Sequence, residues 1–322
     1  MEAIPLLVIL GPTAVGKSEI AISLAKKING EIVSADSMQL YQGMNLGTAK
    51  PSSVEQKVVP HHLIDLLKPD VPFNVFEYAK EAEKIIKEIH QRKKVPILVG
   101  GSGLYIRAVV DGLFESPKID SEKKSIAKEE LRNKSTDFLY KELKKVDRKA
   151  SQKIHPNDRR RIKRALEVFY TAGIPISVLQ KKKPNRQFRT LLIGISRQRK
   201  ELYQRINKRV EAIFAQGFVD EVKTLLENGY TENLNSMQAI GYQETIACLN
   251  NERNLAETIE LIKKNTRRYA KRQLSWFRQD ERINWLSLGN EETPREVITK
   301  IEILFRNFLI KLEEKNGEKK NL

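Results

Sequence analysis

The chain has one cysteine, Cys248, among 322 residues. A single thiol cannot close an intramolecular disulfide and cannot furnish a cysteine-rich zinc site. Histidine is scarce as well, four in all, and two of the four are the neighbours His61 and His62. Adjacent side chains diverge, and no third ligand stands nearby at the usual spacing, so the pair reads as structural. No apolar run approaches the roughly 20 residues that span a membrane. The N-terminal apolar run has Glu2 in place of a basic flank, and a glycine loop stands where a signal peptide would be cleaved. The expectation is a cytoplasmic, membrane-free chain. Acidic residues are in deficit: 41 Asp and Glu against 58 Lys and Arg leave a net charge of +17. Unless this is generic solubility charge, it points to a polyanionic partner, nucleic acid first among the candidates. The balance of 40% hydrophobic and 31% charged residues is that of an ordinary globular protein.

The most informative stretch is an apolar run, Leu6 to Leu10, leading into Gly11-Pro12-Thr13-Ala14-Val15-Gly16-Lys17-Ser18. A helical pattern follows at once in Ile20, Ala21, Leu24, Ala25 and Ile28. Strand, glycine loop and helix in that order are the context a phosphate-binding P-loop requires, as against a chance glycine turn. Backbone N–H groups of residues 11–18 would curl around an anion, helped by the helix N-terminus. Lys17 would pair with phosphate oxygens, and the Ser18 hydroxyl would hold Mg²⁺.

Two further buried strands are predicted, Glu31 to Ala35 and Val95 to Val99. The first ends at Asp36-Ser37-Met38-Gln39. In a parallel sheet the residues just past a strand's C-terminal end line the ligand crevice, which puts Asp36 on the same edge as the P-loop. Asp36 can also serve as a turn cap. The other strand runs into Gly100-Gly101-Ser102-Gly103. An ATPase or GTPase usually carries a Mg²⁺-holding acid at such a strand end. None is present here, which weakens a hydrolase reading and leaves Asp36 as the nearest well-placed carboxylate.

Residues 116–189 carry no buried-strand pattern and read as a charged helical insertion in an α/β core of residues 1–115 and 190–312, with a frayed tail at 313–322. Within the insertion, Asn157 or Asp158 is placed to cap a helix whose first turns hold Arg160, Arg161, Ile162, Lys163 and Arg164. Cations there oppose the helix dipole, which favours anion binding over a merely solvated face. Beyond 190 helices dominate. One carries Arg205, Lys208 and Arg209; a later one mixes basic residues with Tyr269, Trp276 and Phe277, of which the last two read as core.

An ordered series of motifs resembles the bacterial tRNA dimethylallyltransferases. It comprises residues 11–18, Ser-Ala-Asp-Ser-Met-Gln-Leu-Tyr (34–41), Gly-Thr-Ala-Lys-Pro (47–51), His-His-Leu-Ile-Asp (61–65) and Val-Gly-Gly-Ser-Gly-Leu-Tyr (99–105). It continues through His-Pro-Asn-Asp (155–158), Arg-Ala-Leu-Glu-Val (164–168), Gly-Tyr-Gln-Glu (241–244) and Thr-Arg-Arg-Tyr-Ala-Lys-Arg-Gln (266–273). The resemblance implies a P-loop NTPase-like parallel sheet with flanking helices and a helical tRNA-binding insertion. It implies transfer of a dimethylallyl group from dimethylallyl diphosphate to the exocyclic amine of adenosine 37 in the tRNA anticodon loop. The P-loop would then grip the leaving diphosphate, with Mg²⁺ on Ser18, and Asp36 would be the base. Ser102 stands where the family usually has Thr; it keeps the hydroxyl, so with Asp36 and Lys17 it is an implied catalytic residue. Arg205 would lie near the donor phosphates. The implied tRNA contacts are Asp36, Ser37, Met38 and Gln39; Ser102; Lys124; residues 160–164; and Ala239, Ile240, Gly241, Tyr242, Gln243 and Glu244. A monomer is expected. The remaining alternatives are an adenylate isopentenyltransferase, a small-nucleotide kinase and a non-catalytic or ATP-driven RNA-binding protein.

Overall fold

The protein is described from a computed structural model covering residues 4–113, 121–181, 187–289 and 292–320, with backbone alone at 121–125, 128 and 315–320. From the N-terminus come β1 (Ile4–Leu10), α1 (Lys17–Lys27), β2 (Gly30–Ala35), α2 (Ser53–Val58), β3 (His61–His62), α3 (Val75–Gln91), β4 (Val95–Gly100) and α4 (Gly103–Asp111). Five helices follow: α5 (Ser121–Arg132), α6 (Thr136–Val146), α7 (Arg148–Lys153), α8 (Arg159–Ala172) and α9 (Ile176–Leu179). The chain closes with β5 (Phe188–Arg197), α10 (Arg199–Ala215), α11 (Phe218–Glu227), α12 (Tyr242–Leu249), α13 (Leu255–Phe277), β6 (Asn284–Leu288) and α14 (Pro294–Lys320).

Two compact units result, Met1–Val110 with Gln187–Leu322, and Asp111–Arg186. The boundaries fall at 111 and 186 where the sequence suggested 116 and 189. At the expected frayed tail, α14 is helical to Lys320. Val297, Ile298, Ile301 and Phe305, in its N-terminal half, are buried and anchor the helix to the core.

The first unit is a six-stranded parallel sheet in the order β3-β2-β4-β1-β5-β6. A parallel sheet has helices on both faces, so its central strand must be apolar on both. β1 meets that demand with Leu6, Leu7, Val8, Ile9 and Leu10 all essentially inaccessible. Because strand side chains alternate, Leu7 and Ile9 join one core with α1, α10 and α14. Leu6, Val8 and Leu10 join the other, with α3, α4 and Phe277 of α13. Register then fixes the site. Leu10 pairs with Gly100, and Gly100 with Ala35. The next residues, Gly11, Gly101 and Asp36, therefore emerge side by side on the C-terminal edge of the sheet, the edge where such folds bind ligands.

At the opposite end of β2, the buried Glu31 explains the histidine pair. His62 Nε2 lies 2.8 Å and Arg92 Nη2 2.7 Å from Glu31 Oε2, while His61 Nδ1 lies 2.7 Å from the Val59 carbonyl. Burial pushes the Glu31 carboxyl up, but the bonds from His62 and Arg92 outweigh it and hold the group below its ordinary value. A carboxyl with a depressed folded pKa contributes stability above its unfolded pKa and loses it as pH falls through the folded one. Glu31→Gln is expected to cost about 1–3 kcal/mol at neutral pH and to flatten the acid limb below about pH 4.5, as read by thermal melts against pH. A parallel acid limb in both proteins would remove Glu31 from the explanation.

The second unit is helical, as the sequence indicated. Leu139, Leu143, Ile162, Ala165, Leu166 and Val168 form its centre. The buried Asp147 caps α7 through Ala150 N at 2.9 Å and accepts from Ser177 N at 2.8 Å, tying α9 to the same point.

Candidate active site

The eight residues 11–18 wrap the first turn of α1 much as the motif predicts. Gly16 is the N-cap, at φ 108°, a conformation only glycine adopts without strain. What the sequence did not reveal is how the loop is held. Four consecutive residues each accept a hydrogen bond from a cationic side chain. Lys17 Nζ donates to Pro12 O at 2.6 Å and Arg209 Nη1 to Thr13 Oγ1 at 3.1 Å. Arg205 Nε donates to Ala14 O at 2.9 Å and Arg197 Nε to Val15 O at 2.8 Å. Arg205 and Arg209 lie four residues apart on one face of α10, a spacing visible in the sequence but without a partner there to give it meaning.

Thr13, Ala14, Lys17, Arg205 and Arg209 line a cavity of about 350 Å³. Its wall includes Lys17, Ser18, Asp36, Arg205, Arg209 and Tyr269. Burial pushes the Lys17 ammonium down to about 7; the nearby Asp36 carboxylate pulls it back up and the Arg209 guanidinium pushes it further down. A lysine depressed in this way is poised to take up a proton when an anion enters. Burial likewise raises the Tyr269 hydroxyl to about 12, and the Asp36 charge adds to the rise.

Asp36 Oδ1 accepts from Met38 N at 2.9 Å. The carboxylate thus caps its own turn while facing the cavity, so the two readings of this residue are compatible. Ser102 is not part of the cavity wall. Its Oγ accepts from Ser37 N at 3.2 Å and pins the 36–39 turn to the start of α4. Gln39 is engaged internally, accepting from Ser34 Oγ at 2.9 Å and donating to the carbonyls of Thr48 and Ala49. Gln273 of α13 was missed by the sequence reading. It accepts from Thr13 N and donates to Gly101 O, both at 2.9 Å.

Three of the residues expected to contact RNA have side chains packed inside the protein. Tyr242 is fully buried and its hydroxyl donates to Glu221 Oε1 at 2.6 Å. Glu244 accepts from Gly241 N at 2.7 Å and Asn265 Nδ2 at 2.8 Å, closing the N-terminus of α12. Ile162 belongs to the centre of the helical unit. Around it, Asp158 caps α8 through Arg161 N at 3.1 Å. Arg161 and Arg164 pair with Asp158 and Glu167 at 3.4 and 3.8 Å. Arg160 is exposed and Lys163 half-buried, and neither has an ion pair among the described residues. The Lys124 side chain lies outside the described residues. Gln243 is exposed, Ala239 and Ile240 are half-buried, and Gly241 is the N-cap of α12.

Among the described residues no three His, Cys, Asp or Glu side chains gather as a metal site, and no helix is long and apolar enough to cross a membrane. A P-loop ringed by cations, facing a carboxylate across one cavity and lacking an acid at the end of β4, defines a P-loop α/β protein suited to holding a diphosphate while a second substrate is deprotonated. Residues 39–280 match the IPP transferase family, and the chain belongs to that family. It is 46% identical over 309 residues to a tRNA dimethylallyltransferase of Halothermothrix orenii, covering 95% of this chain and 94% of that protein. It resembles the crystal structure of a tRNA isopentenylpyrophosphate transferase from Staphylococcus epidermidis with a TM-score of 0.70 and 39% identity, over 94% of this chain and 99% of that one. A eukaryotic dimethylallyltransferase captured acting on tRNA aligns with a TM-score of 0.77 and 31% identity, over 88% and 74% of the two chains.

Proposed function

We propose that the protein transfers a dimethylallyl group from dimethylallyl diphosphate to the exocyclic amine of adenosine 37 in the tRNA anticodon loop, releasing diphosphate. The observation that carries this reading is the shared cavity, with the cation-ringed loop on one side and Asp36 on the other. The loop amides, Lys17, Arg205 and Arg209 would hold the diphosphate, stabilising its negative charge as the C–O bond breaks. The amine is a weak nucleophile because its lone pair is delocalised into the ring, and Asp36 would take its proton during attack. The base sits in a stacked loop and must swing out to reach the cavity.

Mg²⁺ fits the donor set. The Ser18 hydroxyl lines the cavity and makes no hydrogen bond among the described residues, and a hard ion seeks oxygen. Ser18 and the diphosphate oxygens would hold it, and it would add positive charge against the leaving group.

The RNA surface proposed for the helical unit centres on Arg160 and Lys163, basic residues of α8 with no ion pair among the described residues; Arg159, also without an acid partner, is instead bonded to Thr136 and to the Arg132 carbonyl. Changing Arg160 and Lys163 to Ala is expected to weaken tRNA binding and reduce the slope of log K against log salt by about 1–2. The same change at Arg161, already paired with Asp158, is expected to do less. Equal effects at all three sites would show that the internal pairs do not withhold these arginines from RNA.

The test of the reaction is incubation with labelled dimethylallyl diphosphate and either undermodified tRNA or AMP. Label is expected on tRNA alone. Label on AMP would establish the adenylate isopentenyltransferase alternative.

A further inference from the structure

Gln273 sits where the phosphate loop and the glycine turn after β4 come together. It is 7% exposed. Both ends of its amide are used in one direction each: Oε1 accepts from Thr13 N, and Nε2 donates to Gly101 O. Only an amide supplies an acceptor and a donor at this spacing; a carboxylate or an ammonium offers one of the two. One turn earlier on α13, the Tyr269 hydroxyl lies near Gln273 and Ser102, and Ser102 holds Ser37 N. The contact is close as well as polar. A methyl group on Gly101 would run into the Gln273 amide nitrogen and come no nearer than 3.4 Å to anything else.

We propose that Gln273 is a positioning residue for the transfer reaction: its amide fixes the phosphate loop relative to the Ser102–Ser37 turn, and so fixes the donor's leaving group relative to Asp36. This rests on the transferase reading above. The physical reason is that loop and base belong to different strands. Residue 11 follows β1 and residue 36 follows β2, with β4 between them. Nothing in the sheet register dictates how far the loop leans over the edge. A cross-brace from α13 to both Thr13 and Gly101 does. Small errors in such placement are costly, about 10²-fold for a displacement of about 1 Å.

The experiment compares the full chain with Gln273→Met, close in volume but without either hydrogen bond. Two readouts are taken. Amide hydrogen exchange at Thr13 is expected to speed up at least about tenfold, since its N–H loses its acceptor. In tRNA prenylation, kcat is expected to fall about 30–100-fold, with the donor KM within about threefold. A second arm uses Gly101→Ala. Its added methyl collides with the Gln273 amide, so it should depress kcat in the wild-type background and cost much less when Gln273 is also Ala, a coupling that loss of folding stability alone does not produce. Unchanged kcat in Gln273→Met, or a rise in KM with kcat intact, would overturn the proposal, as would strictly additive effects of Gly101→Ala and Gln273→Ala. If the wild-type chain itself moves no prenyl group to tRNA, the transferase reading has failed, and the positioning role fails with it; a wild type that works beside an equally active Gln273→Met sinks the positioning role alone.

Discussion

Asp36→Asn is expected to slow prenyl transfer by about 10²–10⁴-fold, the usual worth of a general base. The substitution is chosen for what it preserves. Asparagine keeps an oxygen to accept from Met38 N, so the turn that carries the residue survives. It removes the charge and the basicity. It also removes the carboxylate that partly sustains the Lys17 ammonium. Donor affinity is therefore measured alongside the rate. With diphosphate present, the anion itself keeps Lys17 protonated, so KM for the donor is expected to stay within about threefold while kcat collapses. A collapse in KM with kcat preserved would mean that Asp36 organises the donor site and that the proton goes elsewhere. Near-normal values of both would remove Asp36 from the chemistry.

Lys17→Met is expected to lower kcat by about 10²–10³-fold, in line with losing one preorganised donor from a developing oxyanion. Here the donor KM should rise as well, because the ammonium binds the diphosphate in the ground state too. In the free protein Lys17 donates to Pro12 O. A protonated ammonium has two further N–H donors to offer a ligand, while Arg205 and Arg209 brace the loop at Ala14 and Thr13. Lys17→Arg should not rescue. A planar, wider guanidinium cannot take the place of a compact ammonium tucked under the loop. Full activity in Lys17→Arg would show that charge alone suffices at this position.

How much of this was legible in the sequence depends on where the partners lie. The phosphate loop is contiguous, so its residue types and spacing announce it. Asp36 and Ser102 were legible for a topological reason: each follows a short apolar run, and parallel strands end at a common edge. Arg209 and Gln273 were not, because their partner, Thr13, is 196 and 260 residues away. Helical spacing put Arg209 beside Arg205 and Gln273 beside Tyr269, yet spacing gives a shared face and not what that face meets. At Tyr242, Glu244 and Ile162 the structure adds that the side chains are buried. A motif shared with RNA-modifying relatives marks a stretch of chain, whereas only half of a packed helix faces outward. For Ile162 the burial was legible beforehand, since Ala165, Leu166 and Val168 continue an apolar stripe from it. For Tyr242 it was not, because the partner acid, Glu221, lies on a different helix.

The chain's acid deficit takes on a more local meaning in the structure. Arg197, Arg205, Arg209 and Lys17 are committed to the phosphate loop, while Arg160 and Lys163 of the helical unit have no ion pair among the described residues. The central claim is that the loop holds a prenyl diphosphate as a leaving group and not a nucleoside triphosphate as fuel. Diphosphate release, followed with dimethylallyl diphosphate in the presence and absence of undermodified tRNA and separately with ATP, tests it most directly. One diphosphate released per prenylated adenosine, only when tRNA is present, is the expected result; phosphate released from ATP with no prenyl group reaching tRNA would contradict it.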